Sequence, residues 1–158
     1  MRFSTTLALP VAREPLFAFH TDPANLSVLL QGWRATRVLS TAGHIRPGAR
    51  TEVLERWGPL ALRLAFEHFL FEPSERFGER MVRGPFRLFE HVHRFRDEGG
   101  RTVIEDEVEL ALPVWLGGDL ALRLFVLPHL RRFFAFRQSA YVRLAAEGRF
   151  GPATGAGA

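Results

Sequence analysis

Residues 86–112 read FRLFEHVHRFRDEGGRTVIEDEVELAL, and this stretch decides the fold. Two runs of alternating side chains flank residues 97–100, DEGG, and a connection this short joins antiparallel strands. The odd positions of the first run share one face of its strand: Phe89, His91, His93 and Phe95. The even positions of the second run form an apolar row: Thr102, Ile104, Asp106, Val108, Leu110 and Leu112. Pairing the two runs as a hairpin brings Asp106, the one carboxylate of its row, near His91 or His93.

The sequence on both sides of this hairpin predicts more strands of the same kind. Alternation over Phe3–Leu9 indicates a first strand, which Pro10 ends. The other predicted strands are separated by Pro- and Gly-containing turns: Ala35–Ser40, Thr51–Trp57, Leu60–Phe71, Glu75–Arg83, Phe86–Arg96 and Thr102–Leu112. In the third of these, the apolar row is Leu62, Leu64, Phe66, His68 and Leu70. The short connections predict an antiparallel sheet of seven strands.

Helices are predicted at two places in the chain. Two short helices follow the first strand, one over Val11–His20 and one that begins after Asp22, a plausible N-cap, and Pro23. One long helix is predicted from about Leu120 to Ala146, with a kink at Pro128 because proline cannot donate a backbone hydrogen bond. It carries apolar side chains on more than one side, including Leu120 and Leu124, as expected if the sheet wraps around it. The predicted fold is therefore α+β, with the sheet curled around the C-terminal helix.

Composition excludes several classes of function. The chain has 158 residues and no cysteine, so disulfides, thiolate metal sites and a thiol nucleophile are excluded. Its 21 basic residues are all arginine and are scattered among glutamates, which does not predict a nucleic-acid-binding stripe. No apolar segment is long enough for a signal peptide or a bilayer span, so we expect a cytoplasmic protein without an integral membrane segment. Sequence gives no indication of the oligomeric state.

Four stretches of the chain resemble a known superfamily. They are VAREPLFAFHTDPANL at 11–26, VRGPFRLFEHVHRF at 82–95, DEVELALP at 106–113 and LRRFFAFRQ at 130–138. They are similar to the SRPBCC or START-like helix-grip superfamily, which includes START-domain lipid-transfer proteins, polyketide cyclase/dehydrase-like proteins and coenzyme-Q-binding proteins. The second and fourth stretches look like those of a bacterial subgroup that also occurs fused to nucleotide-sugar-epimerase-like proteins. No dinucleotide-binding glycine-rich turn follows a strand here, so we expect residues 1–147 to form a helix-grip domain that stands alone, with 148–158 as a disordered tail.

The resemblance implies a cavity between the sheet and the C-terminal helix. The residues expected to line it and to bind a ligand are Leu64, Phe66, His68, Phe77, Met81, Phe89, His91, His93, Phe95, Ile104, Phe133, Phe134 and Arg137. His91, His93 and Asp106 are candidates for acid–base catalysis, since a carboxylate tunes the pKa of a neighbouring imidazole. The other interpretation is that these groups are buried polar side chains that satisfy one another, as buried polar groups normally do. Arg137 has three interpretations: it holds a ligand carboxylate or phenolate, it pairs with Asp106 or Glu79, or it reaches solvent over a buried stem.

Three functions remain open from the sequence. The first is binding of a small hydrophobic molecule, such as a lipid, a quinone or an aromatic polyketide-like compound. The alternative is a cofactor-free cyclase- or dehydratase-like enzyme that uses the His and Asp residues. A third is an interaction module whose cavity is filled by its own side chains. His68, His91 and His93 could in principle hold zinc, but histidines two apart on a strand are common by chance, so no metal and no cofactor are predicted.

Overall fold

The computed structural model describes residues 1–41 and 43–151 of the chain, and within these ranges it contains seven strands. They are β1 (Arg2–Leu9), β2 (Thr36–Thr41), β3 (Arg50–Trp57), β4 (Leu60–Glu72), β5 (Arg76–Arg83), β6 (Leu88–Glu98) and β7 (Arg101–Ala111). They form one sheet in the order β1-β7-β6-β5-β4-β3-β2, and every neighbouring pair is antiparallel. The predicted antiparallel sheet and its central hairpin are confirmed.

The helices lie where the sequence predicts them. Two short helices, α1 (Arg13–Thr21) and α2 (Ala24–Leu29), connect β1 to β2. Asp22 helps to start α2, because its Oδ1 accepts a hydrogen bond of 2.9 Å from the backbone N–H of Ala24. After β7 come a 3₁₀ turn (Val114–Leu116), α3 (Gly118–Ala121), a π-helical turn (Leu122–Val126) and α4 (Leu127–Ala146).

The π-helical turn lies directly before Pro128, where the sequence predicts a kink. Proline has no N–H to donate to the carbonyl one turn earlier, so the regular ladder cannot run through this point. A π-helical turn is one of the usual ways in which a helix accommodates such a break.

Helix α4 packs across one face of the sheet. The ring of Phe134 lies 5.4 Å from that of Phe3 on β1. Further along α4, Tyr141 and Leu144 are buried in one cluster with Phe95 and Ile104 of the β6–β7 hairpin. The predicted arrangement of sheet and terminal helix is therefore confirmed, although Leu120 and Leu124 do not contribute to it. They are 67% and 58% exposed, because this part of the segment turns Leu122 and Val126 toward the sheet instead.

Strand β4 departs from simple alternation. The pairing register between β4 and β5 shifts between His68 and Leu70, which places Phe71 opposite Phe77 and Leu70 opposite Gly78. Phe71 then contacts Phe17 in the core, with ring centroids 5.9 Å apart. The prediction that Leu70 continues the interior row is wrong, because an extra residue in a strand exchanges its two faces.

The ordered packing extends past the predicted end of the domain at Glu147. Gly148 adopts φ of 74°, and the N–H groups of Gly148 and Arg149 bond back to the carbonyls of Ala145 and Leu144. This glycine-terminated turn is a common way to end a helix, and it folds Phe150 back onto the core, where its side chain is fully buried. The prediction of disorder is therefore wrong for 148–151, while its remainder, 152–158, lies outside the described residues.

Candidate functional site

A cavity of about 180 Å³ lies between the sheet and the helices. Its wall comes from α1 and α2, from strands β2 to β6 and from α4. Most wall residues are apolar, among them Leu26, Leu30, Val53, Leu64 and Phe66. The interpretation in which side chains fill this space is therefore wrong.

The predicted ligand-binding residues line this cavity with two exceptions. Those that line it are Leu64, Phe66, His68, Phe77, Met81, Phe89, His91, His93, Phe133, Phe134 and Arg137. Phe95 and Ile104 do not line the cavity, because Phe17 of α1 and Leu144 of α4 pack against this end of the hairpin. Both are correctly predicted to point inward, but they belong to the closed core.

A row of polar side chains crosses the inner face of four strands. His68 of β4 lies opposite Glu79 of β5, and Glu79 lies opposite His91 of β6. His93, two residues further along β6, lies opposite Asp106 of β7. Residues that face each other in antiparallel strands point to the same side of the sheet, so these pairings gather the five groups.

His91 is held between two carboxylates. Its Nε2 lies 3.0 Å from Oδ1 of Asp106, and its Nδ1 lies 3.6 Å from Oε1 of Glu79. Nδ1 of His93 lies 2.5 Å from the same Asp106 oxygen, but outside hydrogen-bonding geometry. His91, His93 and Asp106 are all buried, and their predicted proximity is confirmed.

Burial and the neighbouring charges shift the pKa values of these buried histidines and carboxylates in different directions. Burial favours the neutral ring of His91, but its hydrogen bond to Asp106 and the nearby carboxylate of Glu79 prevail and raise its pKa. Burial, together with the charge of His91, lowers the pKa of His93 to about 3. Burial acts against the ionised forms of Asp106 and Glu79, yet the neighbouring histidines hold the pKa of Asp106 well below its usual range and that of Glu79 at about 2. At neutral pH, both carboxylates are therefore ionised beside a neutral His93.

Arg137 of α4 reaches the same cavity from the opposite wall. Its side chain is buried, and its Nη2 donates a hydrogen bond of 3.0 Å to Nε2 of His20. The proton of this neutral ring is then on Nδ1, which donates to the hydroxyl oxygen of Tyr141. Burial lowers the pKa of His20 well below its usual value, and the neighbouring His93 and Arg137 act in the same direction, in agreement with a neutral ring.

The charge of Arg137 has no close counter-ion. Among residues 1–41 and 43–151, no carboxylate lies within 4.0 Å of its guanidinium, so the interpretation as an ion pair with Asp106 or Glu79 is wrong. The solvent-facing interpretation is also wrong, since the residue is only 6% exposed. The guanidinium carbon instead lies 5.7 Å and 5.5 Å from the ring centroids of Phe133 and Phe134. These cation–π contacts stabilise the positive charge of Arg137.

A second polar network lies elsewhere on the cavity wall. Glu55 of β3 accepts hydrogen bonds from the hydroxyl of Thr36 and, at 2.9 Å, from Nε2 of His129. Nε1 of Trp33 donates to the same hydroxyl at 3.0 Å. Sequence reasoning missed this network, although Glu55 continues the alternating row of Thr51 and Val53.

Several buried polar atoms of the wall have no hydrogen-bond partner within the described part of the chain. They are Nε1 of Trp57, Nδ1 of His68, Nδ1 of His93 and Nε of Arg137. Buried polar atoms are normally paired, and unpaired ones in a cavity wall mark places where a ligand or water completes the bonding.

Known structures share this arrangement of sheet and helices. A norcoclaurine synthase of Thalictrum flavum, solved in complex with dopamine and hydroxybenzaldehyde, is 13% identical, with a TM-score of 0.69 over 93% of this chain and 87% of that chain. A protein of Thermus thermophilus is 16% identical, with a TM-score of 0.69 over 92% of this chain and 99% of that chain. A nucleoside-diphosphate sugar epimerase of Corynebacterium glutamicum is 23% identical, with a TM-score of 0.66 over 91% of this chain and 29% of that chain. These similarities establish the fold.

The fold and the family match together define a helix-grip protein of the SRPBCC type, as the resemblance in sequence predicts. The chain belongs to the family described as polyketide cyclase/dehydrase and lipid transport, whose family model matches residues 9–134. Membership of this family supports the binding of hydrophobic ligands in general. No curated protein is similar enough in sequence to count as a relative. No helix in the described ranges combines the length and the apolar character that a membrane crossing needs.

Proposed function

We propose that this protein binds a small hydrophobic molecule that carries one anionic group, and that this group pairs with Arg137. The observation that carries the proposal is a buried guanidinium in the cavity wall, with its Nε unpaired and no carboxylate within 4.0 Å in the described chain. A buried charge is costly unless a partner compensates it. A carboxylate or phenolate is the partner whose geometry suits a guanidinium.

The size of the cavity supports a ring-sized guest. Its volume of about 180 Å³ is close to that of an engineered cavity of ~150 Å³ that binds benzene. Aromatic side chains such as Phe66, Phe89 and Phe133 line it, and their faces suit a flat ring. The norcoclaurine synthase of similar fold was solved with two small aromatic molecules, dopamine and hydroxybenzaldehyde. Of the ligand classes predicted from sequence, these features favour a quinone or an aromatic polyketide-like compound over a long-chain lipid.

A pair of fluorescent dyes tests the proposal. 8-Anilinonaphthalene-1-sulfonate and N-phenyl-1-naphthylamine share an arylamine scaffold, but the first carries a sulfonate and the second is neutral. We expect Arg137→Gln to weaken binding of the anionic dye about 10- to 100-fold, as the loss of a charged hydrogen bond of about 1.5–3 kcal/mol implies. Binding of the neutral dye should change less than threefold.

Arg132→Gln is the matched control, because Arg132 lies on the same helix and is exposed. It should leave the affinity for both dyes unchanged. If the wild-type protein takes up neither dye saturably and also binds neither benzoate nor toluene, whose single rings match the cavity volume, ligand binding in this cavity is refuted. Equal weakening of both dyes by Arg137→Gln would refute the role of Arg137 and leave the apolar site in place.

Acid–base catalysis remains the second candidate, and one observation favours it. His91 lines the ligand cavity, and its Nε2 lies 3.0 Å from Asp106, a buried carboxylate that can tune this histidine as an acid or base. His91→Ala would separate the two functions. If binding persists while turnover of an identified substrate is lost, the protein is an enzyme rather than a carrier.

A further inference from the structure

We propose that Glu79, His91 and His93 form a binding site for a divalent transition-metal ion on the inner face of β5 and β6. One coordinating atom of each residue lies within 4.8 Å of those of the other two, and both histidines are buried. This proposal departs from the sequence prediction of no metal. That prediction weighed His68 with His91 and His93 and did not include Glu79.

Strand register explains why these three side chains converge. Glu79 and His91 are direct partners across the β5–β6 ladder, and His93 follows His91 by two residues on the same face. The Glu79 oxygen and Nδ1 of His91 are 3.6 Å apart. Ligand atoms at 2.0–2.1 Å from a tetrahedral ion are separated by about 3.3 Å, so a small adjustment closes the site.

Asp106 provides the outer support that such a site needs. Histidines that bind metals usually donate the other ring N–H to a carboxylate, which fixes the ring orientation. Asp106 lies 3.0 Å from Nε2 of His91 and 2.5 Å from Nδ1 of His93. The hydrogen bond to Asp106 orients the ring of His91, so that its Nδ1 faces Glu79 and remains for the metal. Asp106 lies beside His93 without a hydrogen bond to it, and its support there is the negative charge.

The donor set indicates the class of ion. Two imidazoles and one carboxylate suit zinc and its first-row neighbours, whereas magnesium and calcium prefer oxygen ligands alone. Glu79 and Asp106 together bring two negative charges to the two histidines, which favours a cation there, and Arg137 lies more than 4.0 Å from either carboxylate. Three protein ligands leave a coordination position open toward the cavity, where the ion would act as a Lewis acid on a bound molecule.

Titration with cobalt tests the site directly. The protein, freed of any affinity tag and treated with a chelator, should bind one equivalent of Co²⁺ and develop the visible absorption bands of a four- or five-coordinate ion. Zn²⁺ should displace the Co²⁺, and Mg²⁺ should not. Glu79→Gln and His93→Gln should each abolish these bands, and Asp106→Asn should lower the affinity about 10- to 100-fold, the usual effect of losing such a supporting group.

His129→Gln is the matched control, since His129 lies on the same cavity wall but pairs with Glu55. It should bind Co²⁺ as the wild-type protein does. Circular dichroism checks that each variant is folded. If a variant is not folded, the visible absorption of Co²⁺ bound to the wild-type protein decides whether the site exists. The proposal is overturned if the wild-type protein shows no saturable Co²⁺ binding, or if folded Glu79→Gln and His93→Gln bind as tightly as the wild-type protein.

Discussion

Replacing Phe150 by alanine should strongly destabilise the protein, although the residue lies in a glycine-rich C-terminal segment. Its side chain is fully buried, and its ring lies 5.1 Å from Phe19 of α1 and 6.4 Å from Tyr141 of α4. It therefore joins α1 to α4 at the closed end of the core. Tyr141 in turn contacts His20, the hydrogen-bond partner of Arg137, so this packing also supports the ligand site.

The size of the effect follows from the burial. Truncation of a fully buried phenylalanine to alanine costs about 3–5 kcal/mol, which combines the lost transfer free energy and the cavity left behind. In a chain of this size, about 2–4 °C of melting temperature is lost for each kcal/mol, so the expected decrease is about 6–20 °C.

Urea denaturation followed by circular dichroism measures the change in the free energy of unfolding. Arg149→Ala is the matched control, because the neighbouring Arg149 is exposed and should change stability by less than about 0.5 kcal/mol. A loss below 1 kcal/mol for Phe150→Ala would refute the packed C-terminal turn and would restore the prediction that the ordered chain ends at Glu147.

Three further predictions concern residues in the elements that support the cavity. In Gly84→Ala, the new Cβ would overlap Sδ of Met81, which lines the cavity. The displaced Met81 should lower the affinity for the neutral dye, whereas Gly43→Ala, whose new Cβ has nothing within 4 Å, should leave it unchanged. Thr102→Val removes the buried 2.7 Å hydrogen bond to the carbonyl of Val11, so urea denaturation should show a loss of about 1–3 kcal/mol, and Thr102→Ser, which keeps the hydroxyl, should lose less. Asp22→Ala removes the hydrogen bond at the start of α2 and should cost about 0.5–2 kcal/mol in the same assay, while Asp22→Asn should cost little; equal losses in the two variants would contradict the capping role.

The regular part of the fold could be predicted because local patterns agree with the tertiary structure. Period-two alternation identifies the inner faces of β6 and β7, and the DEGG turn sets their pairing, so the proximity of His91, His93 and Asp106 follows from sequence. Alternation fails in β4, where an extra residue exchanges the two faces after His68. A bulge of this kind leaves no clear local signal in a run that is apolar on both sides.

The missed parts of the site depend on contacts between distant elements. Glu79 lies between Phe77 and Met81 on an interior row, so its inward direction could have been deduced, but its position opposite His91 depends on register. His20 and Arg137 are 117 residues apart, and their hydrogen bond depends on how α1 and α4 meet. Glu55 and His129 are separated by 74 residues in the same way. Pattern arguments are local, and they do not determine such packing.

Nuclear magnetic resonance of the side-chain N–H groups tests the central claim most directly. The protein should be titrated with 8-anilinonaphthalene-1-sulfonate while three signals are followed: Nε–H of Arg137, the indole N–H of Trp57 on the cavity wall, and that of Trp115, which is 81% exposed. We predict that the first two shift saturably with one dissociation constant while Trp115 does not change. A shift confined to Trp115, with Arg137 and Trp57 unaffected, would place the dye on the surface and contradict the account.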